Sequence, residues 1–283
     1  MIRVNQLHFT YAGADQAAVK DVAFDIAEGE IFGFLGPSGA GKSTTQKILI
    51  RLLKGYEGKI EVMEKSLDQW SHDYYEEIGV GFELPNHYTK LSAIENLNFF
   101  GSFYQKAVKK PEELLEMVGL EEHGKKMISE YSKGMKMRLN FVRSLMHDPS
   151  LLFFDEPTSG LDPGNARIIK DIILDLKQKG KTIFLTTHDM ATADELCDRI
   201  AFMVDGQLAT IQSPKELKLE HGRRRVKLEY GTPPLQTAEF ALDGLGTNEA
   251  FLNILKEDTL QTIHSEEATL EDIFIKVTGK SLT

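Results

Sequence analysis

The chain is short of three features that would each point to a class of protein. It has one cysteine, Cys197, so it cannot form an internal disulfide, which fits a reducing cytoplasm. It has no excess of positive charge: the formal net charge is −10, which argues against nucleic acid or anionic lipid as a general partner. It has no apolar run approaching about 18 residues and no signal-peptide core at its start. We therefore expect a chain that does not cross a membrane and that reaches one only through a partner.

What the chain does have is enough apolar material for a large core, with 41% hydrophobic residues among 283. The composition changes near Ser213 and Pro214. We therefore predict a main domain over residues 1–215 and a small α+β appendage over residues 216–283.

A glycine-rich loop dominates the first quarter of the chain and fits G-x-x-x-x-G-K-[ST], the phosphate-binding P-loop. An apolar strand is expected before it over 30–35, and a helix after it over 45–53. Glycines let backbone N–H groups face phosphate oxygens, and the helix N-terminus adds positive charge. Lys42 should reach the β- and γ-phosphates of ATP, and the Ser43 hydroxyl should bind Mg²⁺. The loop consists of Gly36, Pro37, Ser38, Gly39, Ala40, Gly41, Lys42, Ser43 and Thr44.

Two carboxylates follow a second apolar segment, Leu151–Phe154, which is typical of a buried parallel strand. In a P-loop protein this segment is the Walker B element. Asp155 should bind Mg²⁺, and Glu156 is placed to polarise a water molecule that attacks the γ-phosphate. A further strand over 181–187 ends in His188, so we expect its imidazole at the same sheet edge, where it could hold the γ-phosphate or the water.

The remaining periodicity predicts strands and helices on both sides of these motifs. Ser92 with Glu95 forms a capping box, and Asp162 can cap the helix that begins at Pro163. Residues 84–147 read as a mostly helical insert. The basic run 223–225 reads as a solvated strand edge. Strands are predicted at 2–7, 19–26, 59–63, 78–82, 226–230 and 259–263, a hairpin at 200–211, and helices at 92–105, 111–118, 133–147, 163–179, 247–256 and 269–277.

Tyr11 precedes the P-loop in sequence and has two interpretations. Its ring could stack on a nucleotide base, or it could simply pack at a strand end. Spacing alone favours the second interpretation.

The segment Tyr131-Ser132-Lys133-Gly134-Met135 resembles the L-S-G-G-Q signature of ATP-binding-cassette (ABC) ATPases, in the Y-S-K-G-M form of the drug-exporter branch. The resemblance implies an α/β fold, a P-loop NTPase cassette whose RecA-like core carries an antiparallel β-subdomain and a helical subdomain at 84–147 that docks on a membrane partner. It implies that the signature residues bind the γ-phosphate held by a second subunit, in a head-to-tail dimer. It also assigns Tyr11 to adenine stacking, Asp162 to communication across the dimer, and His188 to the switch position. The implied signature residues are Ser132, Lys133, Gly134 and Met135.

The C-terminus carries a shorter resemblance. Leu270-Glu271-Asp272-Ile273-Phe274, with Thr278 and Gly279, is similar to the L-E-D-x-F…T-G ending of bacterial exporter ATPases that pair with separately encoded ABC-2 type permeases. This implies an ATPase that energises export of drugs or other amphipathic compounds, cytoplasmic and peripheral on the inner face of the cell membrane.

Three positions depart from the family pattern. Glu83 stands where the family usually has Gln, and a carboxylate there can bind Mg²⁺ but changes the local charge. Met137 stands where Gln is common, and Lys133 replaces a glycine. Glu83 leaves open an ATP-responsive regulator with little turnover. A non-transport ABC protein of translation or DNA repair is disfavoured by the single cassette and by the lack of sustained heptads.

Overall fold

The structure is a computed structural model that describes residues 1–222, 225–266 and 268–281. The chain divides into two compact units, residues 1–214 and residues 215–280. Arg223 and Arg224 of the basic run lie outside the described residues, and Arg225 begins a strand and pairs with Glu239 at 3.2 Å. Across the described ranges, no helix combines the length and apolarity needed to span a bilayer.

The first unit contains two sheets and seven α-helices among its described residues. Its strands are β1 (Ile2–Phe9), β2 (Val19–Ile26), β3 (Ile31–Leu35), β4 (Glu57–Val62), β5 (Lys65–Ser66), β6 (Ile78–Gly81), β7 (Leu151–Asp155), β8 (Thr182–Thr187), β9 (Arg199–Val204) and β10 (Gln207–Gln212). Its helices are α1 (Lys42–Leu49), α2 (Tyr74–Glu77), α3 (Ala93–Gly101), α4 (Pro111–Glu116), α5 (Lys133–Arg143), α6 (Pro163–Gln178) and α7 (Met190–Leu196).

The first sheet is antiparallel, in the order β2-β1-β4-β5. The predicted alternation in β2 holds, because Val22, Phe24 and Ile26 are buried between exposed neighbours. Phe24 places its ring 5.0 Å from that of Phe34 on β3, so the two sheets share one apolar core. This shared burial joins the antiparallel sheet to the six-stranded sheet that contains β3.

The second sheet has the order β10-β9-β3-β8-β7-β6, with β10 antiparallel at one edge and the other strands parallel. β3 and β8 are buried along their whole length, as strands covered on both faces require. Cys197 is buried here, and a Cβ on Gly33 would lie 2.7 Å from its sulfur, so this position accepts only glycine without displacing its neighbours.

Four predicted helices extended at least two residues too far at their C-terminal ends, among them α4, which ends at Glu116 instead of residue 118. α1 ends at Leu49 rather than residue 53, because Arg51 adopts a left-handed φ of 61° that a helix cannot continue. α3 covers 93–101 instead of 92–105, and α5 covers 133–143 instead of 133–147. Apolar residues continue the helical spacing past the helix end, whether they are exposed, as Leu52 after α1 and Phe103 after α3 are, or buried, as Leu145 after α5 is, so periodicity overstated the length. The capping predictions were right: Ser92 and Glu95 form the capping box, and Asp162 accepts from Asn165 N–H at 3.0 Å.

The second unit holds a three-stranded antiparallel sheet in the order β12-β11-β13. The sequence prediction missed β12, whose side chains are mostly exposed and therefore lack an apolar alternation. In the helix that covers the predicted 269–277 segment, Leu270 and Phe274 are buried and Asp272 completes a capping box with Thr269. The elements of the second unit are α8 (Pro214–His221), β11 (Arg225–Tyr230), β12 (Gln236–Ala241), α9 (Glu249–Glu257), β13 (Leu260–Glu266) and α10 (Leu270–Thr278).

Candidate functional site

The strand order brings the sequence motifs to one edge of the six-stranded sheet. β3 leads into the P-loop, β8 ends at Thr187 before His188, and β7 ends at Asp155. In the sheet β8 lies between β3 and β7, and β6, which precedes Glu83, lies on the far side of β7. Parallel strands end at the same edge, so four separate segments of the chain meet there, as the sequence indicated for His188.

The P-loop backbone requires glycine at its two ends. Gly36 has a φ of 155°, and a Cβ on it would lie 2.1 Å from the Met203 carbonyl oxygen. Gly41 has a φ of 110° and caps α1, and its Cβ would lie 2.6 Å from the Ala18 carbonyl oxygen. The loop therefore packs directly against neighbouring backbone, and its tip at Ser38 and Gly39 is exposed.

Lys42 is buried inside this loop. Its Nζ donates hydrogen bonds to the carbonyl oxygens of Gly36 at 2.6 Å and Pro37 at 3.0 Å. Burial lowers the pKa of the Lys42 ammonium, and the negative charges of Glu156, Asp155 and Glu83 oppose that shift. The poorly solvated ammonium attracts an anion, and the three carboxylates oppose that attraction unless a cation accompanies the anion.

Ser43 and Asp155 provide hard oxygen donors next to each other. The Ser43 hydroxyl donates to Asp155 Oδ1 at 3.3 Å, and the Thr186 hydroxyl donates to the same oxygen. Mg²⁺ prefers such oxygens and usually takes its other ligands from water and substrate phosphates. The described residues include no group of three or more His, Cys, Asp or Glu that could hold a metal.

Glu156 is a buried carboxylate in an unusual backbone conformation. Its φ is 49°, in the left-handed region, and only 9% of the residue is exposed. Its Oε2 accepts from the Thr187 hydroxyl at 3.0 Å. Its Oε1 accepts from the His188 backbone N–H at 2.9 Å and lies 2.7 Å from His188 Nδ1. Glu156 and His188 are therefore in direct contact.

Tyr11 lies beside the P-loop, and 40% of the residue is exposed. Its hydroxyl lies 3.1 Å from the Thr44 hydroxyl, and its ring meets that of Phe9 edge-on at 4.9 Å. The open side of the ring leaves room for a base beside the P-loop, and the contact with Phe9 is the packing that the second interpretation describes.

Glu83 lies in the exposed loop after β6. Two side chains of α5 donate to carbonyl oxygens of this loop. Asn140 Nδ2 donates to Phe82 O at 2.7 Å, and Arg143 donates to Asn86 O at 2.7 Å. His87 Nε2 contributes a third contact, at 3.0 Å to Lys136 O. The segment that carries Glu83 is thus fastened to the helix that begins at the signature.

The signature residues form the start of α5. Ser132 is its N-cap and accepts from the Met135 N–H at 3.2 Å. A Cβ placed on Gly134 would lie 3.6 Å from the Leu161 side chain. The Lys133 side chain lies over Gly160. Within one chain, Ser132–Met135 therefore contacts the loop that leads to Asp162.

Sequence reasoning missed the residues that hold the catalytic candidates. Thr186 and Thr187 donate to the two adjacent carboxylates, and Asn140 and Arg143 hold the Glu83 loop. A signal was available for the threonines, since two hydroxyl residues directly precede His188 at a strand end. Met137, by contrast, is a buried core residue at 5% exposure.

Comparisons with known proteins agree with this arrangement. The ABC transporter family matches residues 19–159, and the fluoroquinolone efflux ABC transporter C-terminal domain matches residues 224–267. A fluoroquinolones export ATP-binding protein of Mycobacterium tuberculosis is 57% identical over 285 residues, covering 100% of this chain and 95% of that protein. The Nod factor export ATP-binding protein I of Rhizobium sp. is 34% identical, covering 95% of this chain and 94% of that protein.

Among solved structures, an ATP-binding cassette dimer in a post-hydrolysis state bound to ADP and Pi matches with a TM-score of 0.69 and 27% identity, covering 76% of this chain and 99% of that one. The P-loop, the paired carboxylates and the adjoining histidine meet at one sheet edge, and the similarity to exporter ATP-binding proteins extends over the full chain. The chain therefore belongs to the ABC transporter ATP-binding proteins and is an ATPase of that family.

Proposed function

We propose that this chain hydrolyses ATP to energise export through a separate membrane permease of ABC-2 type, with fluoroquinolones or similar amphipathic drugs as cargo. The observation that carries the ATPase assignment is the junction of Lys42, Asp155 and Glu156 at one sheet edge. The cargo assignment rests on the 57% identity to a fluoroquinolone exporter subunit and on the match of the second unit.

Each site residue has a role that its geometry supports. Lys42 binds the β- and γ-phosphates, exchanging its carbonyl partners for phosphate oxygens. Glu156 accepts a proton from the attacking water, and His188 holds that water or the γ-phosphate. Tyr11 stacks on adenine, and the P-loop amides from Gly36 to Thr44 hold the phosphates.

Mg²⁺ fits the oxygen donors of this site, with Ser43, Asp155 and Glu83 as the residues that would hold it. When bound, it neutralises charge on the β- and γ-phosphates. Asp155 is kept in place by Thr186, and Ser43 by its position at the start of α1.

The active form is a head-to-tail pair of cassettes. Ser132, Lys133, Gly134 and Met135 present a helix N-terminus to the γ-phosphate of the facing subunit, where an anion is favoured. Asp162 directly follows the loop that these residues contact. Closure of the pair would therefore change the position of Asp162 near the ATP site of the same chain. Binding energy that exists only in the closed pair drives the permease.

The proposed organisation follows from this function. Residues 1–215 form the ATP-binding domain, 84–147 the subdomain that docks on the permease, and 216–283 an accessory domain. The chain works in the cytoplasm, peripheral to the inner face of the cell membrane.

The test has a biochemical and a cellular part. The purified chain should release phosphate from ATP only with Mg²⁺, whereas Glu156→Gln should lose at least ~100-fold in rate and run as a dimer in ATP but not in ADP. Lys42→Ala is the control that should neither hydrolyse ATP nor dimerise.

In cells that lack the chain, a fluorescent fluoroquinolone should accumulate. The parent chain should restore its efflux, and Glu156→Gln should not. A chain that dimerises in ATP without hydrolysis, even with its membrane partner, would instead be a regulator, and Glu83 would be the residue to suspect. Restored efflux of other amphipathic drugs but not of fluoroquinolones would refute the cargo alone.

A further inference from the structure

The hydroxyl of Thr187 links the end of β8 to the proposed general base. Thr187 is fully buried. Its Oγ1 accepts from the Asp189 backbone N–H at 3.0 Å and donates to Glu156 Oε2, also at 3.0 Å. Because the Asp189 amide occupies a lone pair of this oxygen, the hydroxyl hydrogen is directed to the carboxylate. The side chain is therefore oriented on both sides.

The other carboxylate oxygen is held by the next residue. Glu156 Oε1 accepts from the His188 backbone N–H at 2.9 Å. Two consecutive residues, Thr187 and His188, thus donate to both oxygens of Glu156, whose own backbone has a left-handed φ of 49°. Of these contacts, only the one from Thr187 depends on a side-chain hydroxyl and can be removed by an isosteric substitution.

We propose that Thr187 is a positioning residue for ATP hydrolysis, whose hydroxyl sets the orientation of the Glu156 carboxylate toward the attacking water. This rests on the proposed role of Glu156 as general base. Thr187 keeps its own proton throughout, and the water proton passes to Glu156. A carboxylate free to rotate would spend less time aligned with the water, so the loss falls on turnover and not on ATP binding.

The test compares three purified variants with the parent. Thr187→Val replaces the hydroxyl with a methyl group of similar size, and Thr187→Ser keeps the hydroxyl. Thr182→Val is the matched control: Thr182 is also fully buried on β8, but its hydroxyl accepts from Gly29 N–H, at the opposite end of the strand.

We expect Thr187→Val to lower kcat by roughly tenfold to a hundredfold with KM for ATP within about twofold. Thr187→Ser should stay within about threefold of the parent. Thr182→Val should change thermal stability without lowering kcat. An unchanged or raised kcat in Thr187→Val would overturn the proposal, and so would an equal loss in Thr187→Ser.

A double-substitution cycle separates this inference from the role of Glu156. In a Glu156→Gln background, Thr187→Val should cause no further loss of the residual rate, because the group that it orients is gone. A further loss of the same size would show that Thr187 acts independently and would refute the positioning role. Full activity in Glu156→Gln would refute the general base itself, and this inference with it.

Discussion

The hydroxyl groups of Tyr11 and Thr44 lie 3.1 Å apart, so a hydrogen bond joins Tyr11 to the P-loop. Thr44 belongs to the first turn of α1, and Tyr11 follows β1 in the other sheet. The aromatic ring is therefore positioned by the element that holds the phosphates. A base stacked on Tyr11 would be at a fixed distance from the triphosphate site.

Substitution of Tyr11 should separate stacking from this hydroxyl contact. Tyr11→Ala should weaken ATP binding by about 10- to 100-fold, since base–aromatic stacking is worth ~1–3 kcal/mol per base. Tyr11→Phe keeps the ring and should stay within about threefold of the parent. Calorimetric titration with ATP measures both; equal affinities of the Ala and Phe variants would show that the ring does not contact adenine.

Gly36→Ala should abolish ATP binding by displacing the P-loop. The added Cβ would lie 2.1 Å from the Met203 carbonyl oxygen, and that backbone belongs to β9 and cannot move independently. Gly180→Ala is the control, because Gly180 also has a positive φ, 79°, but nothing lies within 4 Å of the new Cβ. The control should lose about 1 kcal/mol of stability and keep ATP affinity. ATP affinity that survives Gly36→Ala would contradict the close packing of the loop.

Glu83→Gln should tighten the binding of metal-free ATP and raise the Mg²⁺ concentration that the ATPase needs. The carboxylate adds negative charge near Lys42, so its removal should tighten binding of metal-free ATP by roughly threefold to tenfold. An amide is a weaker Mg²⁺ ligand than a carboxylate, so the Mg²⁺ concentration for half-maximal ATPase should rise. Titrations of ATP with EDTA and of Mg²⁺ at fixed ATP check the two effects. An unchanged Mg²⁺ requirement would remove Glu83 from the proposed metal ligands.

His87 should make the stability of the first unit depend on pH. Burial lowers the pKa of His87 to about 4, while its hydrogen bond to the Lys136 carbonyl opposes the shift. The unfolded chain protonates His87 near pH 6.5, whereas the folded chain does so only near pH 4. The stability that depends on a neutral His87 is therefore complete above pH 6.5 and is lost as the pH falls from 6.5 toward 4.

Between pH 7 and pH 5 this group should cost the parent roughly 2 kcal/mol of unfolding free energy relative to His87→Gln, whose amide does not titrate and can donate to the same carbonyl. Urea unfolding followed by the fluorescence of Trp70, the one tryptophan of the chain, measures the difference. Parallel pH profiles for parent and variant would show that His87 is not responsible.

The sequence predicted most of the catalytic elements because each has its own local signal. Glycine spacing marks the P-loop, an apolar run ending in two acids marks β7, and Asp205-Gly206 marks the turn between β9 and β10. Local chemistry also predicted the caps at Ser92 and Asp162, since a cap needs only its own helix.

Contacts between distant residues were beyond such signals. The Thr187–Glu156 bond joins residues 31 apart in sequence and depends on β8 lying next to β7 in the sheet, an order that no pattern in the chain specifies. The ends of α1 and α5 were also missed, because apolar residues in the turns that follow continue the helical periodicity. β12 has too few buried side chains to produce an apolar pattern at all.

The left-handed backbone of Glu156 sets backbone strain against hydrogen bonding at a single residue. A non-glycine residue in this conformation costs roughly 1–2 kcal/mol, which a glycine would recover. A glycine would also leave the Thr187 hydroxyl and the His188 N–H without the carboxylate that accepts from them, and an unpaired buried donor costs about 1–3 kcal/mol. Glu156→Gly should therefore leave the thermal midpoint unchanged or lower it, and a raised midpoint would show that the strain outweighs the two hydrogen bonds.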